Sequence, residues 1–182
     1  TTGKNATDSA MIIDAMDILH SEKVDGFCIV SSDSDFTRLA TRLRESRMVV
    51  IGIGERKTPK PFIVACDKFI YIEIIGKNVV RKPESKTSKS EPQNNTAEIE
   101  KIDTNFIKIL KSTVDDVADD DGWAALAAVG AMINKKQPDF DPRNYGYQKL
   151  TPLIKSLKDH FEVDERQVEK SHLKNIYLKI KN

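Results

Sequence analysis

The stretch that decides the reading of this chain is CIVSSDSDFTRLATRL, residues 28–43. An apolar run stops abruptly at Ser31-Ser32-Asp33-Ser34-Asp35, and an amphipathic helical pattern begins at Phe36, with Leu39, Ala40 and Leu43 spaced for one face. Two carboxylates and three hydroxyls therefore sit where a buried strand ends and a helix starts. One reading is a helix cap by Ser34 or Asp35. The other is a ligand site, because ligands of open α/β sheets bind outside the carboxyl ends of the strands.

The flanks extend the alternation. Residues 8–20 read as a helix, with Met11, Ile12, Ala15, Met16 and Leu19 on one stripe. Residues 26–30 and 48–53 read as strands, 61–67 as a short helix, and 69–75 as a last strand. Continuous apolar strands alternating with helices imply a parallel sheet covered on both faces. Projected at 100° per residue, Asp8 falls in the apolar stripe, Asp14 on its flank and Asp17 further round. Asp8 is then either an N-cap, with Thr7 as competitor, or a third carboxylate converging on Asp33 and Asp35. Clustered carboxylates repel one another. A hard divalent ion, Mg²⁺ or Mn²⁺, removes that penalty, and two such ions about 4 Å apart suit phosphodiester hydrolysis.

Residues 81–98, RKPESKTSKSEPQNNTAE, hold one apolar residue, Ala97. Such a segment buries too little surface to offset its ordering entropy, so a flexible linker is expected over 81–99, between domains at 1–80 and 100–182. The later part reads as helices over 102–117, 123–136 and 147–158, then two alternating strands in HFEVDE and NIYLKIKN. Three helices followed by a hairpin are a winged-helix arrangement.

Of the 182 residues, 31% are charged, and the net charge is +1. No run approaches the ~18 apolar residues needed to span a bilayer, so no membrane partner is expected, and no signal peptide is visible. Cys28 and Cys66 each lie in apolar segments. Two lone cysteines and three scattered histidines make no soft-metal cluster, which points to a reducing, cytoplasmic setting. Basic residues gather after the acidic motif (Arg38, Arg42, Arg44, Arg47, Arg56, Lys57, Lys60) and again from Lys135 to Lys158, compatible with a nucleic-acid face.

Three segments, KNATDSAMIIDAMD, GFCIVSSDSDFTRLATRLRE and VVIGIGERKTPKPFIVACDKFIYIE, resemble the later half of an NYN domain, a branch of the PIN-like ribonucleases. The S-x-D-x-D-F element matches Ser31, Asp33, Asp35 and Phe36. The helix-leading Asp matches Asp8, and a following helical Asp matches Asp14. The resemblance covers about residues 3–75. It implies a partial PIN-like α/β fold whose carboxylates bind Mg²⁺ or Mn²⁺ and hydrolyse RNA: Asp8, Asp33 and Asp35 as metal ligands, Asp14 in support, with Arg38 and Arg42 expected on the RNA. It also implies a first strand carrying a further ligand, for which there is no counterpart here, so the N-terminal part of the domain is expected to be missing and this piece to lack a metal ligand.

Residues 121–157, DGWAALAAVGAMINKKQPDFDPRNYGYQKLTPLIKSL, resemble an OST-HTH, or LOTUS, domain through Gly122-Trp123, Gly130, Phe140-Asp141, Arg143, Tyr145-Gly146-Tyr147 and Lys149-Leu150. That family is a winged helix associated with RNA. The resemblance implies phosphate contacts from Arg143, Lys149 and Lys155 and base stacking by Tyr145 or Tyr147. Some members bind a helicase instead, so a non-catalytic RNA adaptor and a helicase-recruiting module stand as alternatives to the ribonuclease.

Overall fold

The computed structural model describes residues 4–75, 102–167 and 174–181, and the expected linker at 81–99 lies outside them. Two compact units result: residues 1–71 with 127–140, and residues 72–126 with 141–182.

In the first unit the order is α1 (Lys4–His20), β1 (Gly26–Val30), a 3₁₀ turn (Ser34–Phe36), α2 (Thr37–Glu45), β2 (Val49–Gly54), α3 (Lys60–Ala65) and β3 (Lys68–Tyr71). The three strands form a parallel sheet in the order β1-β2-β3, with Phe27 opposite Val50, Ile29 opposite Gly52 and Gly52 opposite Phe69. One face is buried. Ile29, Val50, Phe69 and Tyr71 join Phe36, Leu39, Ala40 and Leu43 from the α2 side and Phe62, Ile63, Ala65 and Cys66 from the α3 side. The α1 stripe of Met11, Ile12, Ala15, Met16 and Leu19 packs half-buried against this core.

Strand alternation puts Cys28, Val30 and Val49 on the other face. There Val30 is 64% and Val49 55% exposed. The apolar runs of β1 and β2 therefore do not mean burial on both faces among the described residues, and Cys28 is exposed while Cys66 is buried. Burial pushes the Cys66 thiol up to about 11.

Arg44 ties the crossovers together. Its guanidinium donates to the Val64 and Ala65 carbonyls at 3.3 Å each and pairs with Asp67 at 2.9 Å. The Asp67 carboxylate in turn accepts from Val50 N at 2.9 Å. Beside β3, the stretch ending at Phe140 supplies acceptors within the same unit. Phe69 N donates to the Pro138 carbonyl at 2.8 Å, Lys68 Nζ to Asn134 Oδ1 at 3.0 Å, and Tyr71 OH to Asp139 at 2.8 Å.

Two expectations shift at element ends. α1 starts at Lys4, so Asp8 lies more than a turn inside the helix and is not its N-cap. The apolar run 69–75 does not continue as a strand: β3 stops at Tyr71 and Ile72–Ile75 forms a short helix, α4, with Ile74 buried.

The second unit begins with that helix and continues with α5 (Thr104–Val117), which Asp103 caps by accepting from Phe106 N at 2.7 Å. β4 (Ala124–Ala125) follows in this unit, and α6 (Leu126–Lys136), which from residue 127 on is counted with the first unit, starts where a helix had been expected from Trp123 onward. A 3₁₀ turn (Pro142–Tyr145), α7 (Leu150–Ser156), β5 (Phe161–Gln167) and β6 (Lys174–Ile180) complete the described part. The hairpin forms as the alternation predicts, Val163 opposite Leu178, and β4 adds antiparallel to β6.

Candidate metal-binding site

The turn after β1 is built by its own side chains. Ser31 N donates to the Ile53 carbonyl at 2.9 Å, continuing the parallel ladder one step past the strand. Ser31 Oγ then accepts from Asp33 N at 3.1 Å, and Asp33 Oδ1 accepts from Asp35 N at 3.0 Å. Asp33 is thus the cap of the 3₁₀ turn, a place the sequence had offered to Ser34 or Asp35. Ser32 Oγ accepts from Glu55 N at 2.8 Å, joining this turn to the one after β2. Two of the three serine hydroxyls are used for architecture.

The carboxylates are left differently placed. One Asp33 oxygen is committed to the cap. The Asp35 carboxylate is exposed, with no hydrogen bond or ion pair among the described residues. Both face solvent where the parallel strands end. Asp8 is half-buried on α1, and Asp14 is exposed. No three His, Cys, Asp or Glu side chains among the described residues stand close enough to hold one metal ion, so Asp8, Asp33 and Asp35 do not close into a three-ligand group. The donors that are brought together, Asp33 and Asp35, are hard oxygens on one turn. That fits an ion such as Mg²⁺, which keeps several waters and takes one or two carboxylates from the protein.

Of the basic candidates near this turn, Arg38 and Arg42 are exposed on α2, and Arg42 lies 3.9 Å from Glu45. In the second unit the expected RNA-contacting groups have partners of their own. Arg143 forks onto Asp141 (Nε to Oδ1 3.0 Å, Nη2 to Oδ2 2.7 Å), and this bond holds its guanidinium above its ordinary basicity. Tyr145 packs its ring 4.5 Å from that of Phe106. Tyr147 is half-buried, with its N–H on the Pro142 carbonyl at 3.0 Å. Lys155 pairs with Glu165, which also receives Lys174 at 3.2 Å, and the two ammonium groups hold the Glu165 carboxyl below its usual range. Lys149 is exposed at the start of α7. Gly146 adopts φ +83°, a left-handed conformation that favours glycine and lets the chain leave the 3₁₀ turn.

One arrangement had no sequence signal. Arg166 of β5 lies 4.3 Å from the Tyr177 ring and 5.2 Å from the Trp123 ring, with its Nε on Asp164 at 2.8 Å. Only the pairing of β5 with β6, and of β6 with β4, brings these positions together.

The family model of the NYN domain matches residues 1–73, and that of the OST-HTH/LOTUS domain matches residues 97–173. The chain carries an NYN domain followed by a LOTUS domain. The carboxylate turn lies wholly in the NYN domain, and the Asp141–Arg143 turn in the LOTUS domain. This pairing gives the chain a ribonuclease-related, RNA-binding character. Among solved structures, an uncharacterized protein of Nitrosomonas europaea is 38% identical, over 55% of this chain and 93% of that one, with a TM-score of 0.42. A protein from Chromobacterium violaceum is 31% identical, over 46% and 87%, with a TM-score of 0.34. No curated protein matches the chain. No helix among the described residues is long and apolar enough to cross a membrane.

Proposed function

We propose that the chain is part of a metal-dependent ribonuclease, in which the NYN domain hydrolyses RNA phosphodiesters and the LOTUS domain binds or selects the RNA. The observation that carries this reading is the turn after β1: two solvent-facing carboxylates two residues apart, at the carboxyl end of a parallel strand, in a domain of the nuclease type. Asp33 and Asp35 would hold Mg²⁺ or Mn²⁺, with waters in the remaining positions, since Asp8 does not close with them into a three-ligand group. Bound there, the metal supplies an activated water and a stabilised leaving oxygen. The protein's own part is to fix the acidic turn, through Ser31, Ser32 and the Asp33 cap, and to offer Arg38 and Arg42 to the phosphates. Of the basic candidates in the LOTUS domain, Lys149 would meet RNA as an exposed ammonium, Lys155 by exchanging its exposed pair with Glu165, while Arg143 is committed to the buried Asp141.

The test is RNA cleavage by the full-length protein with and without Mn²⁺. Asp33→Asn abolishes metal-stimulated cleavage on this reading; undiminished cleavage by the purified variant sinks it. RNA binding without any cleavage by the wild-type protein would leave an RNA-binding adaptor in its place.

A further inference from the structure

The turn after β2 is bolted to the acidic turn, and it carries a cation. Ser32 Oγ accepts from Glu55 N, and Ser31 N reaches the Ile53 carbonyl. The approach is so close that a Cβ on Gly54 would stand 2.5 Å from the Ser31 carbonyl oxygen and 2.7 Å from Thr58 Oγ1. The turn closes on itself through the buried Thr58, whose N–H and hydroxyl both donate to the Glu55 carbonyl at 2.9 and 2.6 Å. Arg56 is drawn to the Tyr71 ring, 5.2 Å away. Lys57, at the tip, is left in solvent, its ammonium 2.6 Å from the Glu55 carboxylate. Two residues of chain, about 7 Å at full extension, separate it from the residue hydrogen-bonded to Ser32.

A phosphodiester approaching Asp33 and Asp35 meets negative charge, so the site needs positive charge from the protein as well as from any metal. A lysine suits this as a point charge with three donors. Its present partner is a carboxylate in an exposed ion pair, a kind that contributes little to stability and is readily exchanged. We propose that Lys57 is a phosphate-positioning residue of the strand-end site, and that the Glu55 carboxylate holds in cis the place an RNA phosphate oxygen takes on binding. This rests on the ribonuclease reading above. The rigid turn supplies the position, and Glu55 keeps the ammonium oriented until RNA replaces it.

The experiment is binding of the full-length protein to a fluorescent single-stranded oligoribonucleotide in EDTA, titrated across salt, followed by cleavage kinetics in Mn²⁺. Lys57→Ala is expected to weaken binding about 3- to 10-fold and to lower the slope of log affinity against log salt by about 0.7, the loss of one single-strand phosphate contact. Its unfolding midpoint stays unchanged, and its cleavage defect appears in KM more than in kcat. Lys57→Arg restores binding, and Glu55→Gln, which frees the ammonium, tightens it. If the wild-type protein binds RNA with a steep salt dependence and Lys57→Ala matches it in affinity and slope, the assignment of Lys57 is overturned and the ribonuclease reading stands. If the wild-type protein neither binds nor cleaves RNA at low salt, that reading falls, and this one with it.

Discussion

Two turns in this chain share one local design and end in opposite electrostatics. In each, an aspartate caps a single 3₁₀ turn by accepting the backbone N–H two residues on: Asp33 from Asp35 at 3.0 Å, Asp141 from Arg143 at 2.9 Å. Each turn then seats an aromatic ring, Phe36 in the NYN core and Tyr145 against Phe106. The difference is the side chain at the second position. Arg143 folds back and neutralises the buried Asp141 through two charge-assisted bonds. In the NYN domain that position is Asp35, which adds a second negative charge beside an exposed cap. The backbone asks for the same hydrogen bond in both places. The LOTUS turn is electrically closed, whereas the NYN turn keeps carboxylate oxygens open to an outside cation. Capping and the Arg143 fork together engage both oxygens of Asp141, whereas the cap engages one oxygen of Asp33.

The substitutions that probe this contrast separate function from stability. The largest effect is expected for Asp33→Asn, which keeps an oxygen able to accept from Asp35 N, because Asn caps about as well as Asp. Metal-stimulated RNA cleavage should vanish while the urea unfolding midpoint stays put; a large drop in that midpoint would place Asp33 with Asp141 as an architectural residue. Next is Arg143→Ala, which removes both guanidinium bonds from the buried Asp141 carboxylate. It should cost about 2–3 kcal/mol in chemical denaturation, and a neutral result would break the contrast from the LOTUS side. Glycine changes come third. Gly54→Ala drives a Cβ into the Ser31 carbonyl and should cost about 1–3 kcal/mol. Gly146→Ala strains a positive φ and should cost about 1–2 kcal/mol. Only Gly54→Ala should also reduce cleavage, since it alone shifts the acidic turn. Smallest in stability is Asp35→Arg, which gives the NYN turn the LOTUS pattern. It should stabilise by no more than about 1 kcal/mol while removing metal-stimulated cleavage.

Periodicity made the helices and strands of both domains readable, because it reports which face is buried within one element. It failed where a partner from elsewhere in the chain decides the outcome. Ile72–Ile75 is as apolar as a strand, yet it turns helical after Tyr71. Cys28 lies in an apolar run, yet its face of the sheet is open at β1 among the described residues. The acidic turn stood out in the sequence as a candidate because its composition exceeds what a cap requires, and in the structure one Asp33 oxygen is spent on the cap. The pairings of Arg143 with Asp141 and Lys155 with Glu165 were not legible. A basic residue in sequence carries no mark of whether a carboxylate will meet it, and Glu165 reaches Lys155 only once the hairpin forms. Tyr145 is similar: its ring is claimed by Phe106, which precedes it by most of the domain.

Arg44 has a consequence for how the NYN domain comes apart. Parallel strands need crossovers, and each crossover could in principle open alone, lifting α2 or α3 away from the sheet. Arg44 projects from α2, holds two carbonyls at the end of α3, and pairs with the carboxylate that accepts the first buried N–H of β2. Lifting either helix breaks bonds belonging to the other. The two crossovers are therefore expected to open together, with slow amide exchange rising and falling in concert across α2, α3 and the start of β2; Arg44→Ala should uncouple them.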